Sequence, residues 1–364
     1  MADVIVIGGG MGGLSTALLL AGDGHRVRLL ERDPAPPPAT ADACWSGWER
    51  RGVTQFRLLH SFIARWREVV EAEMPEVAAA VDAAGGLRRN AVLDAPPALS
   101  GGARPGDERY GILTARRPVV EAALSRVAGT VDGLTISRGA GVAGLLASPS
   151  PHLPGVPHLT GVVTEDGRQL QADLVVDAGG RRSALPRLLA DIGAAASEEE
   201  REDCGFVYYC RHFRSNDGSV PPMLGPPLQP YGSVSTVTLP ADNGTWGVGI
   251  VTSGRDATLR ACRDDTVLSR VLKNFPLVAH WLEGEPISGV DVMAGIEDRH
   301  RSYRRAGRPV ATGVAAVGDA WACTNPSVGR GAAMALVHAQ CLRDTLREVP
   351  ATDPVAFADR WHEA

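Results

Sequence analysis

The amino-acid sequence predicts an α/β protein in which a parallel sheet, assembled from separated stretches of chain, is interleaved with an antiparallel sheet and helices. Three observations carry that prediction. A short apolar run, Val4-Ile5-Val6-Ile7, leads into Gly8-Gly9-Gly10-Met11-Gly12-Gly13, a helix pattern and then a second strand. A comparable strand, loop and helix unit recurs near the other end, from Val314 to about Leu346. Between them, from residue 204, the pattern turns to aromatic and β-branched segments joined by a strong turn signal at Asp242-Asn243-Gly244.

At the amino end, Val4–Ile7 is apolar at every position, as a strand buried on both faces of a parallel sheet must be. Gly8, Gly10 and Gly13 fall in the G-x-G-x-x-G spacing. The first glycine permits a tight turn, the second a close approach of backbone to a pyrophosphate, and the third close packing of helix on strand. Gly12 belongs to the same turn. The helix carries Leu14, Ala17, Leu18 and Ala21 at 3–4 spacing and stops at Gly22 and Gly24. Arg26–Leu30 reads as the second strand, with Glu31 and Arg32 at its end. Glu31 stands where an acid accepts hydrogen bonds from a ribose diol, which disfavours a 2′-phosphate. Order and spacing together predict a Rossmann-like dinucleotide site that takes NAD or FAD.

The far end separates those two. Val314–Val317 is followed by Gly318-Asp319, then Asn325-Pro326-Ser327-Val328-Gly329-Arg330-Gly331 and an alanine-rich helix. Gly318-Asp319 with Pro326, Gly329 and Gly331 resembles the glycine-aspartate and P-x-x-G-x-G motifs of the FAD-dependent monooxygenases related to p-hydroxybenzoate hydroxylase, with their epoxidase and halogenase relatives. The resemblance implies that Asp319 bonds the ribityl chain of FAD. It also implies that the following helix turns its positive end to the flavin edge that bears negative charge when reduced. The middle stretch, Asp177-Ala178-Gly179-Gly180-Arg181-Arg182-Ser183, resembles the family's third fingerprint at Gly180 and Ser183. Gly179, however, stands where the family carries an aspartate. That form is closer to the epoxidase and halogenase branches, so the electron donor is either NAD(P)H or a separate flavin reductase.

Further positions follow from the same resemblance. Gly52, Val53, Gln55, Arg57 and His60 match a G-V-x-Q-x-R-x-x-H segment that lies against the flavin, making Gln55 and Arg57 candidate flavin contacts. His60 reads as a histidine on a helix face, the helix carrying Leu59, Phe62 or Ile63, Trp66 and Val69 or Val70. Arg117, with Arg116 its rival in register, matches an arginine that meets the FAD phosphates; a guanidinium fork suits that partner. Val142 matches a position that presents backbone to adenine. Tyr208, Arg211, His212 and Trp246 are candidate substrate-pocket residues beneath the antiparallel sheet, with hairpin strands at Tyr231–Leu239 and Thr245–Val251. The run Glu198–Asp203 reads as a solvated face.

The resulting division is a discontinuous FAD-binding domain (1–75, 110–190 and 285–347), a substrate-binding domain (76–109 and 191–284) and a C-terminal helix (348–364). Relatives usually continue past that helix, so either the chain is truncated there or this member is short. The implied activity is insertion of one oxygen atom from O2 into a small organic substrate, by hydroxylation or epoxidation, through a flavin C4a-hydroperoxide. Rival readings are an FAD-dependent reductase of isoprenoid-type double bonds, a flavin-dependent halogenase and a noncatalytic flavoprotein. The halogenase pattern needs an early lysine, but Lys273 is the single lysine among the 37 basic residues.

Composition narrows the class. The 364 residues are 44% hydrophobic and 22% charged with net charge −5, which gives no electrostatic reason for a nucleic-acid or membrane partner. The six cysteines show no CxxC pair and no zinc spacing, so the expectation is free thiols, no metal and a cytoplasmic location. The glycines at 8, 9, 10, 12 and 13 interrupt the only stretch that could imitate a signal peptide.

Overall fold

The computed structural model describes residues 1–90, 92–150 and 152–364. In chain order, the elements used below begin with β1 (Asp3–Ile7), α1 (Met11–Gly22), β2 (Arg26–Glu31), α2 (Ala64–Glu73), α3 (Pro75–Ala83), α4 (Arg117–Ala128) and β3 (Leu134–Arg138). Next come β4 (Val142–Pro149), β5 (Pro157–Thr164), β6 (Leu174–Asp177), β7 (Glu198–Asp203), β8 (Phe206–Arg214), β9 (Leu228–Tyr231), β10 (Val234–Pro240) and β11 (Thr245–Ser253). The chain ends with β12 (Glu285–Pro286), β13 (Asp291–Met293), β14 (Glu297–Ser302), β15 (Val314–Ala316), α5 (Gly331–Glu348) and α6 (Pro354–Glu363).

The first sheet has the order β15-β6-β1-β2-β3 and is parallel throughout. Its strands alternate between two cores, as a period of two requires. Val4, Val6, Leu29 and Val176 pack with α1, α2, α4 and α5 on one face. Ile5, Leu30, Val175 and Ala316 pack on the other with Leu145, Leu159 and Leu188. Full burial on both faces explains why these strands read as continuous apolar runs. Helix α1 is buried along ten of its twelve residues, and a Cβ on Gly12 would come within 3.4 Å of the Ala335 Cβ of α5. Small residues thus set the close approach of the two helices.

The second sheet has the order β9-β10-β11-β8-β12, with β13 also paired to β8, and a separate core that includes Tyr209, Trp246 and Ile250. At the β10–β11 turn Asn243 and Gly244 both hold positive φ (51° and 65°), the primed turn that an Asn-Gly pair favours. Among the described residues no helix is long and apolar enough to cross a membrane.

Several local expectations are corrected. Residues 51–63 form turns rather than the start of a helix, and α2 begins only at Ala64. Tyr231 closes β9, and the hairpin strand begins at Val234. The acidic run Glu198–Asp203 is fully exposed but forms β7, paired antiparallel to β14. Its unbroken run of charged residues, with no apolar alternation, hid a strand whose partner lies about a hundred residues away. Val77, Ala78 and Val81 of α3 belong to the first core, whereas β12 and β13 hydrogen-bond into the antiparallel sheet.

Candidate functional site: a crevice at the ends of the parallel strands

Open α/β sheets bind ligands beyond the carboxyl ends of their strands, and a large cavity lies there. It encloses about 490 Å³. One end is walled by Ala140, Gly141, Val142 and Glu165. The middle passes Gly8–Gly12 and Gly180, and the far end reaches Gly318-Asp319, Gly329 and Gly331 beneath the antiparallel sheet. Three stretches far apart in sequence therefore converge on one crevice.

The glycines of the first turn have separate tasks. Gly8 has φ +102°, and a Cβ there would lie 2.6 Å from the Ala178 carbonyl oxygen. A Cβ on Gly13 would lie 1.8 Å from the Gly8 oxygen, so this glycine serves helix–strand contact and lies behind the crevice. Gly10 differs from both. A Cβ there meets nothing within 4 Å, because it would project into the cavity.

Helices α1 and α5 both begin at the cavity wall. Neither has a capping side chain or an acidic residue in its first turn, so their amino-terminal N–H groups are left for another partner. Such ends attract anions through aligned peptide dipoles. Asp319 also lines the cavity, and its carboxylate accepts no hydrogen bond among the described residues. Burial raises its pKa, while Arg117, Arg181 and Arg299 oppose that shift.

Glu31, at the end of β2, is buried. Its Oε2 accepts from the Gly9 N–H (2.8 Å) and from Arg50 (2.7 Å), and its Oε1 accepts from the Asp33 N–H (2.8 Å). Arg50 was not singled out from sequence, yet it is the hub of the site. It also meets Asp33 (3.1 Å), Glu121 (3.1 Å) and the Gly9 carbonyl (3.1 Å), tying the 48–61 loop to the first turn. Glu121 holds Arg117 at 2.7 Å, and Arg117 donates to His60 Nε2 at 3.1 Å. Burial, reinforced by Arg117, pushes the His60 pKa down to about 3, so the ring is neutral. No sequence signal marks this network, because Glu31 and Glu121 lie inside apolar segments and meet Arg50 only in the fold.

Of the predicted contacts, Gly8, Gly10, Gly12, Glu31, Arg32, Gln55, Arg117, Val142, Gly180, Gly318, Asp319, Pro326, Gly329 and Gly331 line the crevice. The paired arginines resolve cleanly. Arg117 faces the cavity, whereas Arg116 binds Asp242 of the hairpin turn through its Nη2 (2.6 Å). Arg57 does not reach the cavity; it donates to the Trp45 and Trp48 carbonyls (2.7 and 3.2 Å). His60 is corrected in the other direction, since it lies off any helix and on the cavity wall. Tyr208 lines the cavity, whereas Arg211, His212 and Trp246 do not. Strand facing removes Arg211 and Trp246, whereas His212 shares the Tyr208 face but packs against Trp45 (4.5 Å) outside the cavity, and neither outcome is visible in sequence.

A family model described as FAD dependent oxidoreductase matches residues 3–341. The chain belongs to that family. Protein Rv3254 of Mycobacterium tuberculosis is 26% identical over 359 residues, covering 94% of this chain and 72% of that one. Among solved structures, PqsL of Pseudomonas aeruginosa, described as a probable FAD-dependent monooxygenase, superposes with a TM-score of 0.67 at 19% identity. That match covers 99% of this chain and 92% of PqsL. The flavin-dependent brominase Bmp2 gives a TM-score of 0.68 at 16% identity, covering 99% of this chain and 82% of that one. The oxidoreductase therefore shares its fold with monooxygenases and halogenases alike. Its crevice suits FAD on structural grounds: two uncapped helix ends, an open position at Gly10 and an unpartnered acid at Asp319 are spaced along one groove.

Proposed function

We propose that this oxidoreductase is an FAD-dependent monooxygenase that places one oxygen atom of O2 into a small organic substrate. The observation that carries this reading is that the cofactor crevice runs without interruption into an apolar chamber roofed by the antiparallel sheet. A chamber of that kind excludes water from the reacting centre and leaves room for a substrate beside the α5 end. PqsL has also been solved in complex with 2-aminobenzoylacetate, which supports a small organic substrate for this fold.

FAD supplies the electrons and the site of oxygen activation. The chain's own residues bind, orient and tune. The α1 terminus and Arg117 would hold the pyrophosphate, Glu31 with Arg32 the ribose end, and backbone at Val142 the adenine. Asp319 would accept from the ribityl hydroxyls, and Gln55 would contact the flavin. The α5 terminus, beginning at Gly331, favours negative charge on the adjacent ring edge, a contribution of up to ~2 kcal/mol when partly buried. Neutral His60 adds no proton at physiological pH.

The halogenase reading is weaker, because Lys273, the chain's single lysine, lies outside the cavity. Purified protein is reduced by NADH, by NADPH or by a separate flavin reductase, then exposed to labelled dioxygen with candidate substrates. Label in an organic product supports the monooxygenase. A reduced alkene without label, or a halogenated product, would replace it with one of the rival activities.

A further inference from the structure

Beneath the antiparallel sheet the cavity is walled by Leu58, Leu59, Cys210, Val237, Leu239 and Met293. Its polar pair there, the Tyr208 and Ser327 hydroxyls, is 3.1 Å apart and largely satisfied internally. At the opening, Leu228 both lines the cavity and is 36% exposed, with Leu224, Tyr231 and Leu277 also exposed at 40% or more. Leu277 approaches Gly225, and the Tyr231 ring packs on Phe275 at 4.7 Å, so exposed apolar side chains flank Leu228 along the chain.

Cationic groups are withheld from this part. The guanidiniums that line the cavity, Arg32, Arg50, Arg117, Arg181 and Arg182, rise from the cofactor-side segments. Nearer the sheet, Arg57 is spent on two carbonyls, and Arg211 pairs with Asp265 (3.1 Å) and the Ser288 carbonyl (3.0 Å). Both nearby imidazoles, His60 and His212, are driven neutral by burial. Acids stand there instead: Glu297 lines the cavity, and Asp291 lies behind its wall. In the β8–β13 pairing Met293 stands opposite Tyr208, and Asp291 opposite Cys210. Residues two apart on a strand share a face, so Asp291 follows Met293 toward the chamber but sits behind Cys210, outside the lining itself. Its Oδ2 is buried with no hydrogen-bond partner among the described residues. Burial raises its pKa to about 6, with Arg57 opposing, so the group carries charge above neutrality.

From this distribution we infer that the chamber takes an uncharged, predominantly apolar molecule, that carboxylates are excluded from it, and that Asp291 enforces the exclusion. The inference rests on the proposed function only in taking the chamber as the place where substrate lies. Straight-chain 1-alkanols of six to ten carbons and the alkanoates of equal length are titrated calorimetrically into oxidised holoprotein at pH 7.5, with no electron donor present. Alcohol affinity is expected to rise about fourfold per methylene. The alkanoates are expected to bind about 100-fold more weakly, since a buried carboxylate without a partner is heavily penalised. Asp291→Asn should narrow that gap about tenfold. Met293→Lys, which places an ammonium on the same face, should raise alkanoate affinity above that of the alcohols. Equal binding of alcohols and alkanoates, or no binding of the alcohols, would overturn the inference. A gap unchanged by Asp291→Asn would overturn the role of Asp291. Loss of oxygen transfer in the labelled-dioxygen experiment would strike the proposed function and leave these affinities standing.

Discussion

The sharpest test of the cofactor crevice is a single methyl group placed at Gly10. This residue has φ −80° and ψ −176°, ordinary extended backbone that alanine adopts without strain. A Cβ there touches nothing within 4 Å. The fold therefore loses only the small preference for glycine over alanine at a helix N-cap, about 0.5–1 kcal/mol. In a chain of this size that corresponds to a Tm decrease of no more than about 3 °C. Binding should suffer far more, because the methyl group stands over the N–H groups that open α1. Loss of one or two charge-assisted hydrogen bonds costs about 2–4 kcal/mol, a 30- to 1000-fold weaker FAD affinity. Gly13→Ala is the control. Its Cβ would sit 1.8 Å from the Gly8 oxygen, backbone against backbone, so that variant should lose stability first. Flavin fluorescence on titration of apoprotein gives the affinity, and a thermal scan gives the Tm. A folded Gly10→Ala protein that binds FAD as the parent does would refute the placement of the pyrophosphate.

Two further predictions separate fold from site. Arg116 and Asp242 form a fully buried pair joining α4 to the hairpin turn. Arg116→Met should cost about 3–5 kcal/mol in urea unfolding, because it leaves a buried carboxylate uncompensated, while FAD affinity in the folded fraction stays unchanged; a large loss of FAD affinity would place Arg116 in the site after all. Burial lowers the His212 pKa to about 3, with Arg116 adding to the shift, so the native ring is neutral while the unfolded one titrates near 6.5. The unfolded state then binds the extra proton below pH 6.5, and stability falls as pH falls through that window. Between pH 6.5 and 5.0 the His212 contribution is about 1.6 kcal/mol. His212→Phe should remove that component from the pH dependence of urea unfolding; an unaltered slope would mean that the ring is charged in the native protein.

The sequence by itself determined whatever depends on local pattern. Apolar runs without alternation specified the buried parallel strands, the spacing of Gly8, Gly10 and Gly13 specified the turn, and Asn243-Gly244 specified a primed hairpin. Even the convergence of Gly8–Gly12, Gly180 and Gly318–Gly331 was legible, because each motif caps a parallel strand and all such ends gather at one edge of the sheet. Tertiary structure decided what each polar side chain faces. Adjacent arginines at 116 and 117 diverge to a hairpin and a crevice. Arg57 turns to backbone, and Arg50 gathers carboxylates from β2, its following loop and α4. Asp291 acquires its environment only because a three-residue strand pairs with β8 some eighty residues earlier. A charged group takes the partner that long-range packing brings to it, and no period in the chain records that partner in advance.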